Sequence, residues 1–529
     1  MKSKYRVLVA DPISPKGVEL LQQSLDVVVK TGQKEDEVAA MIKDFDAVVV
    51  RSQTKITPKI IQAGVNLKAI GRAGVGVDNI DVEAATQRGI IVMNTPGGNT
   101  ISTAELAFSL MVSLARKIPQ AHATMVAGKW DRKSFEGVEL CNKVLGIIGM
   151  GRIGAEFARR AIGFGMRVVA FDPYLTLARA KSMQVELCDQ LEPLLKESDF
   201  ITVHTPMTPE TKGILNAKTM GMCKKGVRLI NCARGGLIVE KDLIEMLKSG
   251  HVAGAALDVF EQEPPSPDNE LLKLPNVVLT PHLGASTAEA QESVGIEVAE
   301  LIRDVLTSGA VSNAVNMPNL DAHTAAKLRP YLNLAEKLGS MIAQLSPKRL
   351  DQLNINYSGT VSEYDTTSIT RAILKGVLRY AGGNDVNDVN APIYAKNLGL
   401  TFKETKVSEP GDYTELIKVE VVSGDEKHTV SATFYGPRPR IVEIDGYLLE
   451  AIPEGNLFIM QNVDRPGIVG WIGTLLGNHK VNIANMSLSR AEPGSAALSV
   501  LNLDTAPSEA TLKEILADKD IRWVKVVSL

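Results

Sequence analysis

At 529 residues, with 45% apolar and 22% charged side chains, the chain is long enough for three or four domains and has the balance of an ordinary folded protein. A net charge of −3 gives no electrostatic reason to bind nucleic acid, and no uninterrupted apolar run of about 18 residues offers a membrane span. The four cysteines, Cys141, Cys188, Cys223 and Cys232, are too widely spaced for a CxxC metal clip; they read as reduced thiols, and no metal is expected.

The opening MKSKYRVLVADPIS passes straight into a strand pattern, without the h-region and cleavage site of a secretory signal. A cytoplasmic protein is therefore expected. YRVLVAD, DAVVVRS, LKAIGRAG and GIIVMN follow as short strands separated by helical stretches. A second series then runs KVLGIIGMG, RVVAFDP, DFITVHTP, VRLINCAR, AGAALDVF and VVLTPH. Strands alternating with helices predict parallel sheets covered on both faces. An amphipathic helix near Thr103–Arg116 crosses from the first series to the second, and one near Ala288–Leu306 carries the chain back. The first domain is thus discontinuous, closed by SNAVNMP. Beyond residue 320 the texture turns to β-branched and polar segments (LNINYSGTV, ELIKVEVVSG, HTVSATFYG) with one helix near Ser368–Arg379, an α+β pattern. The last stretch reads strand, helix, strand, strand, helix, strand, the ferredoxin-like βαββαβ order.

The fold class expected is therefore α/β: two doubly wound parallel-sheet domains, then an α+β domain and a ferredoxin-like one. Boundaries are placed at 1–98 with 287–319, 99–286, 320–453 and 454–529.

Gly149-Met150-Gly151-Arg152-Ile153-Gly154 follows the apolar strand Val144–Ile148 and opens a helix. The next strand, Arg167–Phe171, ends at Asp172. Glycines let backbone approach a pyrophosphate, and the helix N-terminus supplies unpaired N–H groups. An acid in that position accepts hydrogen bonds from ribose hydroxyls and repels a 2′-phosphate, so NAD is favoured over NADP.

Arg234 sits at the carboxyl end of its strand, beside Gly235 and Gly236. Ligands of open parallel sheets bind beyond that end, and a guanidinium grips a carboxylate with two parallel hydrogen bonds. His282, in VVLTPHLGAST, and Glu263, in ALDVFEQEPP, lie in loops after other strands. A carboxylate bonded to one imidazole nitrogen fixes the tautomer and leaves the other nitrogen free to exchange a proton. Oxidising a hydroxyl next to a carboxylate needs a hydride acceptor, a cation and a base, and these motifs provide all three. Cys232 has no histidine nearby in sequence to activate it as a nucleophile.

The motifs GRAGVGVDNID, NTPGGNTISTAEL, LGIIGMGRIG, DFITVHTP, NCARGG, AALDVFEQEPP and PHLGAST, in this order, resemble those of the D-isomer-specific 2-hydroxyacid dehydrogenases over residues 1 to about 320. The resemblance implies a Rossmann-type NAD domain, a flavodoxin-like substrate domain and catalytic roles for Arg234, Glu263 and His282. It implies cofactor contacts at Gly149, Gly151, Arg152, Ile153, Gly154, Asp172, Thr205, Cys232, Ala233, Asp258, Gly284 and Ala285. Val75 departs from relatives that carry a threonine touching the cofactor. Within the family the match points to oxidation of 3-phosphoglycerate, which opens serine biosynthesis. A phosphate demands a second cationic patch. Arg51 and Arg72, each ending a strand, fit it, with Arg132 and Lys133 contributing from the same or a neighbouring subunit. Backbone N–H groups of Ala73, Gly74, Val75 and Gly76 are expected to hold the carboxylate. Residues 456–529 resemble an ACT domain, which implies an amino-acid effector, L-serine, bound near Asp464, Asn482 and Asn485 across a domain pair, and a homo-oligomer, a tetramer being expected. Lys396, Arg438 and Arg440 are candidates for an anion site in the α+β region. Two readings compete: a glyoxylate, hydroxypyruvate or other D-2-hydroxyacid reductase, and a non-enzymatic NAD-sensing scaffold.

Overall fold

The computed structural model describes residues 5–347, 349–382, 385–409, 411–490, 492 and 495–529. Five strands form the first sheet: β1 (Arg6–Val9), β2 (Asp26–Val29), β3 (Ala47–Val50), β4 (Ala69–Arg72) and β5 (Ile91–Asn94). All pair in parallel in the order β2-β1-β3-β4-β5. That is the flavodoxin-like winding expected. β1, β3 and β4 are almost wholly buried, as parallel strands covered on both faces must be. β2, unread in the sequence, is an edge strand with both faces partly open, so its DVVV run lacks that burial.

The returning helix spans Ala288–Thr307 and starts where the Thr287 hydroxyl accepts from Ala290 N–H (3.1 Å). Val294, Val298 and Ile302, spaced four apart on one stripe, pack with Val7, Val49 and Ala69 of the first sheet. The chain is then tied to β5: the Asn316 side chain accepts from Val92 N–H (3.0 Å) and donates to Ile90 C=O (2.8 Å).

The second sheet holds β6 (Val144–Ile148), β7 (Arg167–Phe171), β8 (Glu186–Leu187), β9 (Phe200–Val203), β10 (Val227–Asn231), β11 (Val252–Leu257) and β12 (Val277–Leu279). Their order is β12-β11-β10-β9-β6-β7-β8, all parallel. The winding reverses between β6 and β9, so a crevice opens beyond their carboxyl ends. The crossover helix, Thr100–Arg116, buries Ala107, Phe108, Met111 and Leu114 in this domain's core.

The third sheet is mixed: β13 (Gln352–Gly359), β14 (Thr401–Val407), β15 (Glu415–Ser423), β16 (Glu426–Tyr435), β17 (Arg438–Ile444) and β18 (Tyr447–Ala451), in the order β14-β13-β15-β16-β17-β18. It is covered by two helices rather than the one anticipated. Besides Thr367–Gly382 there is Ala322–Leu345, in which Pro330 lies inside the helix and masks its apolar stripe Leu334, Leu338, Met341, Ile342 and Leu345. The two helices cross where Gly339 and Gly376 have no side chains; a β-carbon at Gly339 would lie 2.1 Å from Ile373 C=O. The fourth sheet, β19 (Asn456–Val463), β20 (Ile483–Arg490), β21 (Ala496–Leu503) and β22 (Ile521–Ser528), has the order β20-β21-β19-β22, with helices Ile468–Asn478 and Glu509–Leu516 inserted. This is the βαββαβ arrangement read from the sequence. Leu457, Ile459, Leu498 and Val527 of this sheet share one core with the third. Among the described residues no helix is long and apolar enough to cross a membrane.

Candidate active site

The glycine turn after β6 uses its three glycines for three different reasons. Gly149 has φ +95°, and a β-carbon there would lie 2.8 Å from the Thr205 methyl and 2.9 Å from His204 backbone. Gly154 lets helix Arg152–Gly163 close on the strand, since its β-carbon would strike Gly149 C=O at 2.2 Å. Gly151 faces open space, with nothing within 4 Å of where its β-carbon would be. An open position at the start of a helix, where N–H groups lack intrahelical acceptors, is suited to a pyrophosphate. Beside it the Thr205 hydroxyl oxygen is buried without a hydrogen-bond partner among the described residues, as is Asn99 Oδ1. Unpaired buried polar atoms beside an open glycine fit a polar group such as the dinucleotide. Asp172 caps β7, accepting from Met150 N–H (2.7 Å) on one oxygen and Tyr174 N–H (2.8 Å) on the other, which fixes its carboxylate at the edge of the turn. Ile153 is half-buried in the first turn of the helix, and Arg152 reaches toward Gly97 across the crevice.

The proton-handling pair lies at the ends of neighbouring strands. His282 Nδ1 is 2.7 Å from Glu263 Oε2, and Glu263 Oε1 accepts from Phe260 N–H (3.1 Å). The hydrogen bond to Glu263 raises the His282 pKa above its ordinary value, more than burial lowers it. Burial acts to raise the Glu263 carboxyl, but the bonds from His282 and the Phe260 N–H outweigh it and leave its pKa lowered. His282 sits at φ +55°, a left-handed conformation unusual for histidine. It is held there by Asp258. That residue is wholly buried, accepts from Leu283 N–H (2.7 Å), Gly284 N–H (2.9 Å) and the Thr280 hydroxyl (2.6 Å), and takes His282 N–H on its carbonyl (2.9 Å). Gly284 C=O in turn accepts from Ser102 Oγ (2.9 Å) and Thr103 Oγ1 (3.0 Å) on the crossover helix, and Ala285 C=O from Gln291 (2.5 Å). Asp258, expected to touch cofactor, thus also positions the histidine loop with its carboxylate.

Arg234 leaves β10 through a turn in which Asn231 donates to Arg234 C=O (2.8 Å) and accepts from Ala233 N–H (3.0 Å). Its guanidinium spans to the other sheet, bonding Ala233 C=O (2.7 Å) through Nη1 and Asp78 (3.2 Å) through Nε. Its charge acts on both Glu263 and His282, so the three groups converge. Cys232 packs into the core behind them and its thiol is raised by burial, which leaves only its backbone facing the crevice.

The facing wall comes from the first sheet. Arg72 ends β4 and donates to Asn79 Oδ1 (3.1 Å); burial and the charges of Arg234 and Arg51 push it down to about 10. A group whose pKa falls because other cations crowd it is poised for an anion. The loop 73–76 has room for these side chains only because of its glycines: a β-carbon at Gly74 would lie 2.4 Å from Arg72 Nη1, and one at Gly76 2.0 Å from Arg234 Nη2. The backbone of Ala73 and Val75 is pinned by Ala73 N–H to Val50 C=O (2.8 Å) and by Asn94 donating to Val75 C=O. Two residues unassigned from sequence hold this wall. Asp11, 0% exposed, accepts from Arg51 N–H (2.7 Å) and Thr54, and Asn79 donates to Arg51 C=O (2.7 Å) and Thr54 C=O (2.6 Å). Both are polar residues in motifs, but their partners lie far away in sequence. Arg51 itself bonds Pro12 C=O (3.4 Å).

Not every expected residue is gathered here. Arg132 and Lys133 lie on an exposed loop turned by Asp131, which accepts from Lys133 and Ser134 N–H (3.1 Å each), and neither is among the principal charges acting on Arg72. In the fourth sheet β19 and β20 both run antiparallel to β21, so Asp464, after β19, and Asn482, before β20, stand at opposite ends. Asp464 bonds Arg490, Asn482 bonds Asp504 (2.8 Å), and Asn485 stands opposite Asn502. One chain therefore does not assemble the effector set. Of the anion candidates, Arg440 pairs with Glu450 (3.2 Å), Arg438 is exposed at the start of β17, and Lys396 lies on helix Ala391–Asn397.

Replacing Glu263 with glutamine removes the charge that raises His282. The acid limb of the kcat/KM profile for alcohol oxidation, set by loss of the imidazole proton, is expected to move to lower pH, read directly from pH-rate curves of the two proteins.

A strand-ended crevice with this pairing is the site of a dehydrogenase acting on 2-hydroxy acids, and the D-isomer specific 2-hydroxyacid dehydrogenase NAD binding domain family matches residues 108–284. The D-3-phosphoglycerate dehydrogenase intervening domain matches residues 327–445 and the ACT domain 457–520. Curated relatives are similar from end to end. The D-3-phosphoglycerate dehydrogenase of Methanocaldococcus jannaschii is 45% identical over 99% of this chain and 100% of its own length, and that of Bacillus subtilis is 44% identical over 99% and 100%. The chain belongs to the D-3-phosphoglycerate dehydrogenase family. Solved structures cover its first part: NAD-bound 3-phosphoglycerate dehydrogenase of Entamoeba histolytica (31% identity, 59% of this chain and 99% of that one, TM-score 0.51), and D-lactate dehydrogenase of Aquifex aeolicus complexed with NAD and lactic acid (27%, 59% and 100%, 0.53).

Proposed function

We propose that the chain oxidises 3-phospho-D-glycerate to 3-phosphohydroxypyruvate with NAD, the first step of L-serine biosynthesis, in the crevice between its two parallel sheets. The observation that supports this most is the convergence of Arg234, Glu263 and His282 opposite Arg72 and Arg51. NAD, held at Gly149–Gly154, Asp172, Thr205, Ala233 and Ala285, supplies the hydride acceptor when bound. Everything else is done by the chain's own groups. His282 Nε2 takes the hydroxyl proton, because Glu263 engages the other nitrogen and balances the imidazolium that forms. Arg234 grips the carboxylate and stabilises charge on the oxygen becoming a carbonyl. In loop 73–76 the N–H groups of Val75 and Gly76 serve the same carboxylate, while those of Ala73 and Gly74, also expected to do so, are held by Val50 C=O (2.8 Å) and Arg72 C=O (2.9 Å); Arg51 and Arg72 take the phosphate.

Arg51→Ala and Arg72→Ala are each expected to raise KM for 3-phosphoglycerate about tenfold or more, with a smaller change in kcat, as loss of a charge-assisted phosphate contact requires. Unchanged KM in both variants, measured by steady-state kinetics, removes the phosphate assignment. The overall reading is tested by following NADH absorbance with 3-phosphoglycerate. Reduction of glyoxylate or hydroxypyruvate without oxidation of 3-phosphoglycerate favours the alternative reductase, and no turnover at all favours a scaffold.

The ACT domain match over residues 457–520 supports the further reading of an amino-acid-regulated enzyme, here a cytoplasmic homotetramer. Asp464 from one chain and Asn482 and Asn485 from another would face one L-serine, while Arg132 and Lys133 would enter a neighbour's crevice. Titrating L-serine into the assay is expected to lower the rate; no inhibition and no heat of binding would remove this arm.

A further inference from the structure

Asp78 is an acid at the mouth of a site built for anions. It projects from the loop that carries Gly74 and Gly76, its side chain is 69% exposed, and its Oδ2 lies 3.2 Å from Arg234 Nε. Gly76 closes the arrangement: a β-carbon there would lie 2.0 Å from Arg234 Nη2 and 2.5 Å from Asp78 Oδ2. The Nε–Nη2 edge of a guanidinium is the one that meets a carboxylate with two parallel bonds. Nη1 is committed to Ala233 C=O (2.7 Å). Asp78 therefore occupies the edge the substrate's carboxylate needs.

The two acids acting on the arginine cluster differ in freedom. Asp11 and Asp78 both raise the affinity of Arg72 for its proton, against the charges of Arg234 and Arg51. Asp11 is 0% exposed, and its oxygens hold the Arg51 and Thr54 backbone and the Thr54 hydroxyl, so it cannot leave. Asp78 is largely in water, and its ion pair is with a cation that would bind another carboxylate equally well. An exposed ion pair is weak, so an incoming substrate can displace it.

We propose that Asp78 is an exchangeable counter-ion: in the empty crevice it holds the Nε–Nη2 edge of Arg234, and the carboxylate of the substrate takes that edge by displacing it. The pairing keeps Arg234 extended across the crevice between turnovers and reclaims it as product leaves. The proposal rests on Arg234 being the carboxylate-binding residue.

The test uses the full-length enzyme at saturating NAD, with oxalate as a dead-end carboxylate that lacks a phosphate. Asp78→Asn removes the competitor, so the competitive Ki of oxalate is expected to fall about threefold, the size of an exposed ion pair, and KM for 3-phosphoglycerate to fall with it. Asp78→Glu, which keeps the charge, is expected to remain within about twofold of the unaltered enzyme. A Ki that rises or does not move in Asp78→Asn overturns the proposal, because an acid that stays in place to prop up Arg234 loosens carboxylate binding when removed. Arg234→Ala in the same assay separates the two layers. If it leaves Ki and KM unchanged, the role of Arg234 itself has failed; if it raises both while Asp78→Asn lowers neither, only the counter-ion has failed.

Discussion

Arg234→Ala is expected to lower kcat/KM for 3-phosphoglycerate by about 10³-fold or more, the sum of two charge-assisted hydrogen bonds and of the charge facing the developing carbonyl. The residue has no substitute nearby. Arg72 and Arg51 belong to the other sheet: the Arg72 side chain is held by Asn79 (3.1 Å), and Asp11 and Asn79 hold the backbone of Arg51, whose guanidinium bonds Pro12 C=O (3.4 Å). Arg234→Lys keeps the charge and loses the fork, and its activity is expected to fall between the two. Affinity for NAD, followed by tryptophan fluorescence, should be nearly unchanged in both, since the glycine turn makes its own contacts on β6 and β9. Turnover within about tenfold of the unaltered enzyme in Arg234→Ala would show that the guanidinium does not bind the reacting end of the substrate.

His282→Asn is the cleaner way to remove the base. Position 282 lies at φ +55°, and asparagine tolerates that region better than alanine, so the loop held by Asp258 is kept. The loss in kcat is expected to be about 10² to 10⁴-fold, the usual contribution of a placed general base. The second signature is qualitative. The unaltered enzyme gains rate with rising pH as the imidazole loses its proton, at a pH above that of free histidine because Glu263 stabilises the charged form. In His282→Asn that rise should vanish, leaving the residual rate nearly flat over the same range.

Much of the first two sheets was legible because its signals are local. The glycine turn, the strand before it and Asp172 after it fall within one βαβ unit, and each catalytic group ends an apolar run. What escaped was set at a distance. Asp11 and Asn79 are ordinary turn residues until β1, β3 and β4 align and place them against Arg51, Thr54 and Arg72. Asp258 reads as a cofactor contact, and only the folded loop reveals that its oxygens also hold residues 280–284 in place. Pro330 hid a 24-residue helix, tolerated because buried side chains on either side of it pack into one core. The effector residues need a second chain: Asp464 and Asn482 are read from the sequence as acting across a domain pair, and strand direction puts them at opposite ends of the sheet within one chain.

The base, its acidic partner and Arg234 all stand on one sheet, while Arg51, Arg72 and loop 73–79 stand on the other, joined by the crossover and returning helices. With the roles proposed above, proton handling and phosphate recognition are carried by separate modules. Redrawing the short segments after β3 and β4 would change which acid is admitted and leave proton and hydride chemistry intact. A lactate enzyme and a phosphoglycerate enzyme that each share this fold over 59% of the chain are what such a division of labour permits.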